Sequence, residues 1–360
     1  MTTAGPVRVA ANGRDNNFTV LRWVAAFAVL VSHAFPLAPR HKGHDLLDVL
    51  TGHELGWYAV DAFFVASGFL VTKSLWRRKS VADFLRARAF RIFPGLVAML
   101  LVVVTVLGLT SSAYPVGAFW RHGETWRFLA GNATLLGADH ETLPGVFGGR
   151  AVNGSLWTLP SEAFCYLLLA VAGLAGAASS RRRLWACLGL AFGGYLAIVL
   201  IPESRRFYPA VFPSGEVDVF PRLGFCFLLG VLYFLLRDRL PLCLSGVLLL
   251  WGLVPFSTGT PMLTAAVCTA LGYTVFWFAY LDRPWLARLR RIPDYSYGIY
   301  IYAFPTQRYV YQFWPRMTPW TNILVAGAAT LVLASLSWHF VEEPALRQVR
   351  KTRSTLAQAR

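Results

Sequence analysis

The stretch from Leu240 to Leu281 contains no charged residue, and this feature limits the chain to few kinds of fold. A helix needs about 20 apolar residues to cross a bilayer, so this stretch is long enough for two crossings. Its middle, Pro255–Pro261, is rich in Pro, Gly, Ser and Thr and is expected to separate two helices. Of the 360 residues, 56% are hydrophobic and 14% are charged, whereas soluble domains have about 25% charged residues. The chain is therefore expected to be a polytopic integral membrane protein.

Uncharged runs elsewhere predict further membrane helices, about ten in all, and an all-α fold. The expected spans are 18–37, 57–75, 92–113, 156–178, 184–201, 218–236, the two halves of 240–281, 295–314 and 319–341. If both termini are cytoplasmic, the cytoplasmic segments hold more than twice as many Lys and Arg as the opposite side. This asymmetry is the one that membrane proteins usually show.

Three parts follow from this topology. A cytoplasmic segment at 1–16 precedes a transmembrane domain at 17–344, and a basic cytoplasmic tail follows at 345–360. The net charge of +16 could indicate a nucleic-acid partner, but its concentration in cytoplasmic loops favours a membrane protein among lipids. We expect no nucleic-acid partner.

Cysteines and histidines do not form a metal motif. The five cysteines lie in or beside apolar runs without a CxxC pair, and we interpret them as small buried residues rather than disulfides or ligands. His41, His44 and His53 share one loop without a ligand spacing. No metal site is expected.

The first span carries two ionisable residues, Arg22 and His33, eleven positions apart. On a helix they lie on nearly one face, roughly 16 Å apart along the axis. His33 either makes a structural hydrogen bond or accepts and returns a proton, for which imidazole is suited near neutral pH. In the expected topology Asp61 and Glu162 lie at a depth in the membrane similar to that of His33. Asp61 would then orient His33, and Glu162 would line an acceptor pocket or make a structural hydrogen bond, whereas Arg308 would snorkel or pair with Glu162.

Three arginines precede the third span: Arg86, Arg88 and Arg91. Such a run is typical of a cytoplasmic loop. The guanidinium group also matches phosphate geometry, because it donates two parallel hydrogen bonds. Together with Arg22 these residues would make a cytoplasmic phosphate site.

Six segments, in order along the chain, resemble the motifs of the membrane acyltransferase-3 family, which O-acylates sugars and other acceptors. The segments are Leu21-Arg22 with His33, Val60–Leu70, Phe84–Pro94, Gly154–Leu159 with Glu162 and Tyr166, Tyr295–Tyr300, and Val341–Pro344. The resemblance covers nearly the whole chain. Many family members have a histidine shortly after the ninth-helix motif, where this chain has Ala303, so no second catalytic histidine is expected there.

The resemblance implies an enzyme that moves an acyl group, most often acetyl, from cytoplasmic acyl-CoA to a hydroxyl of a glycan, glycolipid or other sugar-containing acceptor. It implies a multi-pass protein of the bacterial inner membrane, with acyl-CoA as donor substrate and no bound cofactor. The implied catalytic residues are His33, Asp61 and Glu162, and the implied donor-binding residues are Arg22, Arg86, Arg88 and Arg91. Seven further residues would line the acceptor pocket or support it: Ser67, Asn153, Ser155, Trp157, Tyr166, Tyr297 and Tyr300. His33 would act as general base or carry the acyl group transiently.

The alternative function is an exporter of a sugar-linked or anionic substrate, which ten spans and intramembrane charges would also suit. Such transporters are commonly built from repeats with broken helices in both halves. The sequence shows no such symmetry, so the enzyme is favoured.

Overall fold

The described part of the chain is helical. A computed structural model describes residues 16–40, 43–78, 80–135, 141–200, 219–260 and 262–349, and no strand occurs in these ranges. The α-helices are α1 Phe18–Leu37, α2 Leu46–Thr51, α3 Leu55–Arg78, α4 Val81–Thr110, α5 Val116–Arg121, α6 Gly123–Thr134, α7 Thr158–Leu174, α8 Arg181–Leu200, α9 Val219–Leu236, α10 Leu244–Leu253, α11 Leu263–Ala279, α12 Pro284–Leu289, α13 Ser296–Phe313 and α14 Pro319–Ser337. The all-α prediction is confirmed.

Four of the described helices are long and apolar enough to cross a membrane: α1, α3, α4 and a continuous helix Pro319–Val349 that contains α14. Helices α7, α9, α10 and α11 are apolar but shorter. A multi-pass membrane protein is therefore confirmed. The count of ten spans and the cytoplasmic termini stay predictions, because residues 1–15, 201–218 and 350–360 lie outside the described ranges, as does His41 of the histidine loop.

Two local expectations can be compared with the helix bounds. The predicted break at Pro255–Pro261 is confirmed, since α10 is followed by a 3-10 turn and α11 begins at Leu263. The third span begins earlier than hydropathy indicates, at Val81, so the three motif arginines lie on a helix rather than in a loop. The Ser80 hydroxyl accepts a hydrogen bond from the Asp83 N–H at 3.2 Å and caps this helix.

The helices form two compact units, of which the first contains Met1–Ala25, Trp57–Phe84 and Ser161–Asp294. Within it, α3 and α9 cross in backbone contact. A Cβ atom at Gly68 would lie 2.0 Å from the carbonyl oxygen of Phe227, and one at Gly230 would lie 2.2 Å from another carbonyl oxygen. Both positions therefore require glycine, and the crossing brings the side chains of α3 close to those of α9.

The second unit contains Ala26–Gly56, Leu85–Pro160 and Tyr295–Arg360. Here two side chains of α13 donate hydrogen bonds to the C-terminal half of α1. The Gln307 amide donates to the carbonyl of Leu30, and the Tyr311 hydroxyl donates to that of Ala34, both at 2.8 Å. Ala34 lies in the last turn of α1, where carbonyls lack partners within the helix. These two bonds flank His33 and fix its turn.

Candidate active site

His33 lies in the second unit against an aromatic ring of α13. Its imidazole meets the Phe304 ring edge-on, with centroids 5.1 Å apart. The side chain is partly exposed, yet Nδ1 is buried and has no hydrogen-bond partner among the described residues. A substrate would reach this ring through the other nitrogen, Nε2. Gly154 makes room for the arrangement, because a Cβ atom there would lie 2.9 Å from the Phe304 ring.

Asp61 is fully buried in the first unit and forms an ion pair with Arg222. The two side chains are 2.8 Å apart, and the Arg222 guanidinium lies 4.0 Å from the centroid of the Trp57 ring. Arg222 is the only charged residue of α9, which is the signal by which sequence reasoning could have found it. Orientation of His33 by Asp61 stays a prediction.

Two buried cysteines lie near the same carboxylate. The sulfur atoms of Cys226 and Cys268 and a carboxylate oxygen of Asp61 lie within 4.8 Å of one another. The Cys268 thiol is 3.8 Å from Asp61 Oδ2. A metal cation at this position would be repelled by the Arg222 guanidinium that already pairs with Asp61. We assign no metal site here, and all five cysteines are free thiols.

Glu162 accepts two hydroxyl hydrogen bonds within the first unit. Ser67 Oγ donates to Glu162 Oε1 at 3.1 Å, and the Tyr166 hydroxyl donates to the same oxygen. Glu162 and Tyr166 are four positions apart on α7 and so share a helix face, while Ser67 comes from α3. The structure thus brings together three residues that the sequence singled out. The two bonds fix the orientation of the carboxylate, either as a support or as part of an acceptor pocket.

A second group of predicted residues joins the start of α7 to α13. Asn153 Nδ2 donates to the carbonyl of Ile301 at 2.8 Å, and the Tyr300 hydroxyl donates to that of Ser155 at 2.9 Å. The Ser155 N–H donates to Asn153 Oδ1 at 3.2 Å. Trp157 lines a small crevice beside Asn153. These bonds satisfy backbone groups of the loop before α7 and of α13, so they favour support of the site over contact with an acceptor.

Two of the predicted donor-binding arginines already have carboxylate partners. Arg22 pairs with Asp294 at 2.6 Å in the first unit, and Arg91 pairs with Glu342 at 3.3 Å in the second. Sequence reasoning assigned no role to either carboxylate, although Asp294 directly precedes the ninth-helix motif and Glu342 lies in the last one. The pairs hold both guanidinium groups in place.

Tyr297 and Ser337 complete the surroundings of Arg91. The guanidinium lies 5.4 Å from the centroid of the Tyr297 ring, whose hydroxyl donates to the carbonyl of Ile92 at 2.8 Å. Ser337 Oγ donates to Glu342 Oε1 at 3.0 Å. Tyr297 is therefore a support for Arg91.

The two remaining motif arginines precede Arg91 on α4. Arg86 is exposed, and its guanidinium lies 5.8 Å from the centroid of the Phe90 ring. Arg88 is half-buried. With Arg91 they place three cations within about a turn and a half of one helix.

Comparison with known proteins gives one family and several relatives. The family model described as an acyltransferase domain matches residues 15–339. An O-acetyl transferase of Shigella phage Sf6 is 28% identical over 92% of this chain and 96% of its own length. Nodulation protein 10 of Rhizobium leguminosarum bv. viciae is 27% identical over 95% and 96%, and acyltransferase MdmB of Streptomyces mycarofaciens is 27% identical over 94% and 93%. No solved structure matches.

Proposed function

This chain belongs to the acyltransferase-3 family and is an acyltransferase, and from that premise we propose a specific reaction. An acyl group, which we propose is acetyl, moves from cytoplasmic acyl-CoA to a hydroxyl of a glycan, glycolipid or other sugar-containing acceptor. The relative named O-acetyl transferase supports the acetyl group. The protein would lie in a bacterial inner membrane. Family membership favours this enzyme over the exporter.

The proposal rests mainly on the partly exposed imidazole of His33. In the reaction, Nε2 accepts the proton of the acceptor hydroxyl while the hydroxyl oxygen attacks the thioester carbonyl carbon. The carbon–sulfur bond breaks, and the departing CoA sulfur takes the proton back from the imidazolium. The products are an O-acyl ester and free CoA. Phe304 and the bonds to Leu30 and Ala34 keep the ring in place.

A second route uses the same imidazole as a carrier. Nε2 attacks the thioester carbonyl carbon, the carbon–sulfur bond breaks, and CoA leaves as the thiolate. The acceptor hydroxyl oxygen then takes the acyl group from Nε2, the imidazole is restored, and the hydroxyl proton passes through solvent to the CoA thiolate. This route predicts exchange of labelled CoA into acyl-CoA when no acceptor is present. Direct attack predicts no such exchange.

The CoA phosphates would bind at the arginines of α4. Arg86 is exposed and Arg88 is half-buried, whereas Arg91 is oriented by Glu342. Guanidinium groups held in this way can donate paired hydrogen bonds to phosphate. Participation of Arg22, which Asp294 orients, is part of the same proposal.

The test uses broken membranes that contain the protein, supplied with acetyl-CoA labelled in the acetyl group. We expect wild-type protein to transfer label to envelope glycans and to release free CoA. His33→Ala removes the proton acceptor and should reduce both signals at least 100-fold, within the range that general acid–base catalysis supplies, about 100- to 10,000-fold.

The matched control is His44→Ala, because His44 is a histidine of the same chain whose side chain is 73% exposed. It should keep full activity. Expression level and thermal unfolding of both variants in detergent check that they insert and fold. Normal transfer by a folded His33→Ala protein would refute the role of His33, and wild-type protein that releases no CoA would refute the donor. Sealed vesicles of both orientations then test which face takes the donor.

A further inference from the structure

Arg308 of α13 is a cation whose described contacts include no anion. Its guanidinium lies 5.7 Å from the centroid of the Phe304 ring and 5.6 Å from that of Phe147. Its Nε atom is buried without a hydrogen-bond partner among the described residues. Among the described residues, the charged neighbour that acts on it is Arg150, which is also positive.

Such an arrangement is costly in the absence of an anion. Burial of a charged or polar group costs free energy unless the group is paired and hydrogen-bonded. The two aromatic rings favour the cation by contact with their faces, but they leave the planar N–H donors of the guanidinium unused. The positive charge of Arg150 repels that of Arg308. A negatively charged group that accepts several hydrogen bonds would stabilise both guanidinium groups.

The position of Arg308 relates it to the reaction centre. Phe304, one turn earlier on α13, contacts both His33 and Arg308. Tyr297, which supports Arg91, lies eleven residues before Arg308 on the same helix, roughly 16 Å away along its axis. A phosphate held at Arg91 is therefore distant from Arg308. An anion at Arg308 belongs to a different group from the donor phosphates.

We propose that Arg308, together with Arg150, binds a negatively charged group of the acceptor beside His33. The acceptor is then a sugar that carries a phosphate or a carboxylate, including a sugar joined to its lipid through phosphate. The planar fork of Arg308 suits either anion, since both accept two parallel hydrogen bonds. This inference rests on the proposed acyl transfer and adds the charge of its acceptor.

The first experiment identifies the charge of the product. Broken membranes with wild-type protein receive labelled acetyl-CoA, and the labelled product is passed over an anion-exchange column. We expect the product to be retained. Loss of retention after phosphodiester cleavage indicates a phosphate, whereas loss after chemical reduction of carboxyl groups indicates a carboxylate. A labelled product that is neutral throughout overturns the proposal.

The second experiment tests Arg308 itself with the unacylated form of that acceptor. Arg308→Gln should raise KM for the acceptor by about 10- to 100-fold, because a charge-assisted hydrogen bond is lost, and leave kcat nearly unchanged. Arg308→Lys keeps the charge and should restore part of the affinity. Arg316→Gln, at an exposed arginine after α13, is the matched control and should change neither constant.

The remaining outcomes separate the possible failures. An unchanged KM in folded Arg308→Gln protein refutes the anion site. A fall in kcat alone, with KM unchanged, also refutes it and indicates stabilisation of the tetrahedral oxyanion instead. If wild-type protein transfers no acetyl group at all, the proposed function fails rather than this inference. Thermal unfolding in detergent shows whether each variant is folded.

Discussion

Removal of either charge of the Asp61–Arg222 pair should destabilise the protein more than removal of both together. The side chains are 0% and 8% exposed and 2.8 Å apart, so their attraction is about 6 kcal/mol at an effective dielectric constant of about 20. Arg222→Met leaves a buried carboxylate without its ion partner, and Asp61→Asn leaves a buried guanidinium. Each should lower the free energy of unfolding by about 3–5 kcal/mol. The double variant buries no charge, so we expect a coupling energy of about 3 kcal/mol.

Unfolding of the purified protein in mixed micelles, with an increasing fraction of denaturing detergent, measures these free energies. The pair Arg181–Asp238 is the matched control, because its side chains are 40% and 46% exposed at 3.3 Å. Its coupling should stay below about 1 kcal/mol. Additive effects of Asp61→Asn and Arg222→Met would refute the reasoning that the two residues act as one buried pair.

The same variants test whether Asp61 only stabilises the fold or also takes part in the reaction. If the carboxylate serves mainly to neutralise Arg222, the double variant should keep acyl transfer. If it also orients His33, the double variant should be folded and inactive. Asp61 is a predicted catalytic residue, and this comparison decides which of its two roles the reaction needs.

Two other contacts yield sharp expectations. Gly68→Ala should destabilise the protein by about 2 kcal/mol or more, because the new methyl group would lie 2.0 Å from the carbonyl oxygen of Phe227. Gly272→Ala is the control, because its methyl group would lie 3.7 Å from the nearest atom, and it should be neutral or stabilising. Thermal unfolding in detergent measures both variants. Arg91→Gln should raise KM for acetyl-CoA about tenfold, because a phosphate contact is lost. Arg347→Gln, at an exposed residue, is the control and should leave this KM unchanged. Initial rates of CoA release measure both variants, and a KM of Arg91→Gln equal to that of wild-type protein would exclude Arg91 from donor binding.

Sequence reasoning was strongest where a local rule applies. A long uncharged run broken by prolines predicted the α10–α11 break. The start of the third span was less predictable from hydropathy. A helix begins where backbone donors are capped and residues favour the helix, and Ser80 satisfies that condition well before the apolar run starts.

Tertiary partners could not be predicted in this way. Nothing local to Asp61 indicates Arg222, since the pair depends on the crossing of α3 with a helix far along the chain. The choice of Phe304 as neighbour of His33 likewise depends on how α13 packs against α1. An ion pair or an aromatic contact between distant helices follows from packing geometry, which hydropathy and motif spacing do not contain.

The continuous helix Pro319–Val349 contains a π-helical turn, Trp338–Glu342. Side chains five positions apart on a regular α-helix point about 140° away from each other. The wider turn brings Ser337 and Glu342 onto one side, where Ser337 donates to the carboxylate that holds Arg91. The number of residues in this turn therefore determines the direction in which the Glu342 side chain points. Loss of one residue would restore a regular helix and rotate the Arg91 partner away, even if every motif residue were kept.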